Sequence, residues 1–196
     1  MNDWDVALFL ALNAGPDAPP MILAIARWVS SDLPTLAAVA SLLLVSRYPD
    51  TRRRLAAVVT AMALAWLATR AIRWAIPMER PFVTGLGFQG MAHAASASFP
   101  SLHAAVASAW AAALTLHRGE QPAWLGGVAC LVAAGIAWSR LYLGLHYPTD
   151  IAAGLLLGWG CAVLTHGLIR REPWARRRWW RLRTARGAAV RSRGRS

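Results

Sequence analysis

Lysine is missing altogether from this 196-residue chain, so all 21 of its basic side chains are arginine, against nine acidic residues. Charge of either sign is scarce: charged residues make up 15% of the chain and hydrophobic ones 57%. That balance excludes an ordinary soluble domain. Cysteine is equally sparse. Cys130 and Cys161 each sit inside an apolar run and read as small buried hydrophobes rather than a disulfide or metal ligands. The opening Met1-Asn2-Asp3-Trp4-Asp5 lacks the basic start of a secretory signal, so no cleavage is expected. There is no repeat of fixed period.

What is present is apolar sequence in long runs: Leu55–Thr69, Ala104–Leu116, Trp124–Trp138 and Ile151–Thr165. With a few flanking residues each approaches the roughly 20 needed to cross a bilayer core. The expected fold is therefore all-α, a polytopic transmembrane helical bundle forming one domain over residues 1–170. Spans are expected at about Met21–Val45, Arg54–Ile76, Pro100–His117, Pro122–Arg140 and Pro148–Arg170. Asp32 and Pro34 are placed to bend or divide the first, which makes five spans, or six if the first 46 residues cross twice. Residues 1–16 hold a short amphipathic stretch, Trp4–Asn13, before Gly15-Pro16, and read as an interfacial or re-entrant helix.

Arginine sets the orientation. The connection from Arg47 to Arg54 holds four arginines and the tail from Arg170 to Ser196 holds eleven. Positive-inside logic makes that side cytoplasmic. The net charge of +12 is thus juxtamembrane, the pattern of contact with anionic lipid rather than of nucleic-acid binding. Residues 171–196 are expected to form a basic, partly disordered cytoplasmic tail, and Trp174, Trp179 and Trp180 in it fit an interfacial belt.

Alternating spans then carry three polar clusters to the opposite, outer face. The first is Arg73, six residues, then Arg80-Pro81. Guanidinium groups grip phosphate oxygens through paired hydrogen bonds. Arg70 beside them reads as a snorkelling arginine. The second is Ser98-Phe99-Pro100-Ser101-Leu102-His103, where Pro100 suits the first turn of a helix and Ser98 can cap it. The amides exposed there favour an anion, and Ser101 adds a hydroxyl donor. The third is Ser139-Arg140, five residues, His146, three residues, Asp150. Pro148 again suits an early helical position. At a spacing of four, the Asp150 carboxylate can hold one ring nitrogen of His146 and leave the other free to attack. Ionisable residues are costly at membrane depth, so a convergent set marks a functional site.

These three clusters resemble the signature of the type-2 phosphatidic-acid phosphatase superfamily: Lys-x6-Arg-Pro, Pro-Ser-Gly-His, and Ser-Arg-x5-His-x3-Asp. That superfamily includes bacterial lipid phosphatases, glucose-6-phosphatase and vanadium haloperoxidases. The stretch His93–Ser101 and the small size look most like its undecaprenyl-diphosphate phosphatases. The resemblance implies that His146 forms a phosphohistidine, that Asp150 orients its ring, and that His103 serves as general acid and then base. It implies that Arg73, Arg80, Ser101 and Arg140 clamp the phosphoryl oxygens, with no cofactor and no metal. The implied substrate is undecaprenyl diphosphate or another lipid phosphate, processed at the outer face of a bacterial cytoplasmic membrane. The chain departs from the signature at Arg73, where the family has lysine, and at Leu102, where it has glycine.

Other readings remain at this stage. His103, His146 and Asp150 are plausible zinc ligand types, but three guanidinium cations would oppose a divalent metal. A scaffold or transporter is the non-enzymatic alternative, and Gly154-x3-Gly158 could support either a dimer or close packing within the chain. Glu79 and His93 fall in the outer loop as possible substrate contacts.

Overall fold

A computed structural model describes residues 3–47, 51–117 and 122–169. Seven helices run through them: α1 (Asp3–Leu12), α2 (Pro20–Ser31), α3 (Leu33–Val45), α4 (Thr51–Ala75), α5 (Leu102–Leu116), α6 (Ala123–Tyr142) and α7 (Pro148–Ile169). No strand occurs among the described residues. The expectations for the basic tail and its tryptophans lie outside them.

By length and hydropathy, α4, α6 and α7 can each cross a membrane, and α2 with α3 makes at most a fourth span, bent by 50°. The break has a clear cause. Pro34 has no N–H to offer the carbonyl four residues back, and its ring clashes there, so α2 stops at Ser31 and α3 restarts beyond Asp32. The 15 residues of α5 cover only about 22 Å, so the fifth expected span is shorter than a bilayer core. At 10 residues α1 is too short to cross, and its apolar residues do not gather on one face, so the amphipathic character expected of Trp4–Asn13 is absent.

Alanine makes up much of the inside of the bundle, beside a few large side chains such as Trp110, Leu114 and Ile136, and many large aliphatic residues face outward. Ala57, Ala61, Ala65, Ala105, Ala109, Ala113 and Ala133 are buried, whereas Val59, Leu67, Leu131, Leu156 and Leu164 are exposed. Lipid tails are as apolar as leucine, so nothing drives large side chains inward, and close backbone approach favours alanine and glycine. The same logic corrects one expectation: Cys130 faces outward rather than into the core, and Cys161 is half-buried.

The central α5 packs on α4 and α6. Its contact with α7 explains Gly154-x3-Gly158. A Cβ on Gly154 would lie 2.6 Å from the Ser101 carbonyl oxygen, and one on Gly158 would run into the Ala105 carbonyl. The motif therefore packs within one chain. Both obstacles are backbone, so Gly158→Ala is expected to cost about 1–3 kcal/mol through overpacking. The check is the midpoint of thermal unfolding in detergent, with Gly160→Ala, which meets open space, as the control.

The two ends of the bundle differ. At one, Arg53 Nη2 donates to the Ile169 carbonyl at 2.9 Å and the His117 and His166 rings meet edge to face. At the other, the irregular segment 76–101 folds over the ends of α4, α6 and α7. Its Ser98 amide donates to the Met78 carbonyl at 2.8 Å, and the Ser101 amide to the Asp150 carbonyl at 2.9 Å.

Candidate active site

All three polar clusters meet at the second end. Arg80, Ser98, Ser101, Arg140, His146 and Asp150 are each no more than 1% exposed, and Arg73 and His103 are half-buried. Helix α7 begins at Pro148, as expected, so His146 lies just ahead of it and Asp150 in its first turn. The Asp150 carboxylate reaches back as an N-terminal cap, with Oδ2 accepting from the Tyr147 amide at 2.9 Å. The same oxygen lies 3.3 Å from Nδ1 of His146 and accepts a short hydrogen bond from the Ser98 hydroxyl.

The protonation of His146 follows from its neighbours. Arg80 Nη1 is 3.1 Å from Nε2 of the imidazole. A guanidinium can only donate, so Nε2 must offer its lone pair and the ring proton sits on Nδ1, facing Asp150. Burial, reinforced by Arg80, Arg140, Arg73 and His103, pushes the imidazole pKa well below its usual value. His146 is therefore neutral, with one nitrogen held by a carboxylate and the other turned toward cations. Arg80 itself is fixed by the carbonyls of Ser96 at 2.8 Å and Leu145 at 2.9 Å. Burial and the nearby Arg73 lower its pKa to about 10, which leaves it charged at neutral pH.

This arrangement makes folding sensitive to acid. An unfolded His146 takes up a proton near pH 6.5, whereas the folded one resists until well below that. Stability is thus whole above pH 6.5 and declines as pH falls from there toward the folded pKa. His93, lowered chiefly by burial, acts in the same direction. Thermal unfolding midpoints between pH 7.5 and 5 should fall on acidification, and more shallowly in His146→Asn.

Arg73 donates through Nε to the Pro100 carbonyl at 2.9 Å, which ties α4 to the start of α5. Arg140 is held differently. Its Nη1 donates to the Ser30 hydroxyl at 2.6 Å, while Nε and Nη2 are buried with no hydrogen-bond partner. Among the described residues no carboxylate lies within 4.0 Å of any of these three guanidiniums, and the one ion pair is His146–Asp150. Three buried or half-buried cations thus share one acid already engaged with the imidazole. A phosphate dianion would satisfy the open donors of Arg140.

The sequence-based expectations hold unevenly in detail. Helix α5 begins at Leu102, so Pro100 precedes it, and Ser101 is the cap, accepting from the Ala104 amide at 3.5 Å. The capping role expected of Ser98 is therefore wrong: its hydroxyl serves the His146–Asp150 pair instead. The hydroxyl of Ser30 has no signal in the sequence, because only the packing of α2 on α6 brings it to Arg140. Glu79 is exposed, and His93 lies 3.0 Å from the neighbouring Ala94 carbonyl, within electrostatic range of His103 and the three arginines. Arg70 is exposed and stacks over the Trp66 ring at 5.5 Å, consistent with a snorkelling role. No group of three His, Cys, Asp or Glu side chains converges as metal ligands among the described residues.

The sequence profile of the PAP2 superfamily matches residues 35–174. The chain belongs to that superfamily. It is 35% identical over 167 residues to an Escherichia coli K12 protein named "Putative undecaprenyl-diphosphatase YbjG", covering 82% of this chain and 81% of the relative. Among solved structures, Aquifex aeolicus LpxE superposes with a TM-score of 0.71 at 19% identity, covering 84% of this chain and 95% of LpxE. A PAP2-type phosphatidylglycerolphosphate phosphatase from Bacillus subtilis gives 0.58 at 24% identity, with 86% and 85% covered. Both support the fold. The protein is accordingly a multi-pass membrane protein of a lipid phosphatase family.

Proposed function

We propose that the protein hydrolyses a lipid phosphate through a phosphohistidine, with undecaprenyl diphosphate, cleaved to undecaprenyl phosphate, as the substrate. The observation that carries this reading is the neutral His146, its Nε2 lone pair turned toward three guanidiniums whose one nearby acid, Asp150, is already engaged with the imidazole. Nε2 attacks phosphorus as the bond to the leaving-group oxygen breaks, and His103, which takes up a proton when the phosphate anion binds beside it, gives that oxygen the proton. Water then gives a proton to His103 and attacks the phosphohistidine. The phosphorus–nitrogen bond breaks and inorganic phosphate leaves. Asp150 stabilises the ring charge that develops in between. Arg73, Arg80, Arg140 and Ser101 hold the equatorial oxygens.

A lipid substrate is favoured by what lies beside His103. A cavity of about 90 Å³ starts at that side chain and runs along α5, between Pro34, Ala38, Met62, Ala107 and Ile136. Its walls are apolar, so the first carbons of a tail can lie there while its phosphate meets the arginines. The relative in Escherichia coli supports the polyprenyl diphosphate in particular. Arginine placement supports an outer-face site in a bacterial cytoplasmic membrane, with the C-terminus inside. Residues 1–170 form the phosphatase domain in this reading, and oligomeric state does not enter it.

The test is a side-by-side assay of the purified protein on undecaprenyl diphosphate, phosphatidate, phosphatidylglycerol phosphate and lipid A. Preference for the prenyl diphosphate is expected; preference for any of the others would overturn the substrate assignment. Ala107→Trp, which fills the cavity, should lower kcat/KM on the lipid by roughly tenfold and spare a short water-soluble phosphate ester.

A further inference from the structure

The N-terminal helix α1 has no place in the chemistry described so far, yet it is tied to the active site at three points. The Asp5 carboxylate is 3% exposed and accepts from the Thr149 amide at 3.0 Å and the Thr149 hydroxyl at 2.6 Å. One turn on, Phe9 is fully buried with its ring 5.5 Å from that of Tyr147. At the end of the helix, Asn13 donates to the carbonyls of Phe88 at 3.0 Å and Tyr142 at 3.1 Å, and accepts from the Phe88 amide at 2.6 Å.

These anchors fall on the residues that flank the catalytic ones. Thr149 is the second residue of α7, where amides have no partner within the helix. Tyr147, at the cap position, has no short polar side chain to supply one. Asp5 fills that role from another helix, and its charge suits the positive end of α7. Thr149 is followed by Asp150, and Tyr147 is preceded by His146. Asn13 fastens the outer loop to the segment between Arg140 and His146, where Gly144 at φ 73 leaves room for the Phe88 carbonyl.

We propose that α1 braces the active site, and that Asp5 is a positioning residue that fixes the first turn of α7 and so the His146–Asp150 pair. The inference rests on the reading of His146 as nucleophile. A misplaced ring would weaken attack while leaving the arginines able to bind phosphate, so the loss should fall on kcat. Stabilisation alone is the competing account, since a buried carboxylate with two hydrogen bonds could merely dock α1.

Full-length protein in detergent separates the two, assayed on whichever lipid phosphate the wild type turns over. Asp5→Ala should lower kcat per folded molecule by roughly tenfold with KM within about twofold, and Asp5→Asn, which keeps an acceptor, should recover much of it. Thr149→Val should lower kcat by a few-fold, and adding it to Asp5→Ala should cost nothing more. Carbethoxylation of histidines followed by mass spectrometry gives a readout free of activity. His146, fully buried, should react several-fold faster in Asp5→Ala, while His166 at the far end of the bundle should not change. Unchanged kcat and unchanged His146 reactivity in Asp5→Ala would overturn the proposal, as would a change confined to KM. If Asp5→Ala does not fold, Thr149→Val decides by the same measures. His146→Ala is run in parallel: activity surviving there would remove the nucleophile reading itself, a different failure from a silent Asp5.

Discussion

Replacing His146 with alanine is expected to reduce phosphate release by about 10⁴-fold or more, the scale on which nucleophile removal acts when other groups cannot substitute. The size follows from how little else at the site can attack. The Ser98 hydroxyl donates to Asp150, the Ser101 hydroxyl caps α5, and the arginines carry no lone pair at neutral pH. His103 is the other imidazole, and its role at the leaving group puts it on the wrong side of phosphorus for an in-line displacement. Binding should survive, because the guanidiniums remain. Orthovanadate, which mimics the phosphoryl group, should still raise the unfolding temperature of His146→Ala. Wild type given radiolabelled substrate and quenched in alkaline denaturant, where phosphohistidine survives, should carry label on histidine, and the variant none. Near-normal turnover in the variant would remove His146 from the reaction.

The arrangement of this site was legible in the sequence to the extent that the bilayer dictates it. A chain that crosses repeatedly must alternate sides, so Arg73–Arg80, Ser98–His103 and Arg140–Asp150 reach one end of the bundle whatever the packing details. Spacing placed His146 within reach of Asp150, but His146 lies ahead of the helix, and it is the carboxylate reaching back from the first turn of α7 that closes the pair. Packing between distant segments was not legible. Ser98 appeared as a cap because it precedes a helix, but the true start of α5 at Leu102 gave that task to Ser101 and turned Ser98 toward Asp150. Asp5, Asn13 and Ser30 carried no motif at all. Their partners lie 144, 75 and 110 positions away, and only the docking of α1 and α2 against the outer end brings them together. Cys130 was misjudged for another reason: in lipid, an apolar residue gains nothing by turning inward.

Arg140 should show activity and stability moving in opposite directions. Its Nε and Nη2 are buried without partners, at a cost of about 1–3 kcal/mol each and more for a charged group. Burial beside two other guanidiniums adds repulsion that no carboxylate offsets. Arg140→Met keeps much of the side-chain volume and removes the charge and the unpaired donors together. It leaves the Ser30 hydroxyl without its partner, a smaller loss of about 1 kcal/mol. The ligand-free variant should therefore unfold several degrees higher than wild type, since about 1 kcal/mol shifts the midpoint by roughly 2–4 °C in a chain of this size. Turnover should fall by about 10²–10³-fold, the loss typical of removing one donor aimed at transition-state charge. Vanadate should stabilise the wild type strongly and Arg140→Met weakly, and Arg140→Lys should fall between them, with a point charge in place of a fork. A drop in both stability and turnover would mean that Arg140 already has what it needs in the empty protein. The open donors would then not be reserved for phosphate.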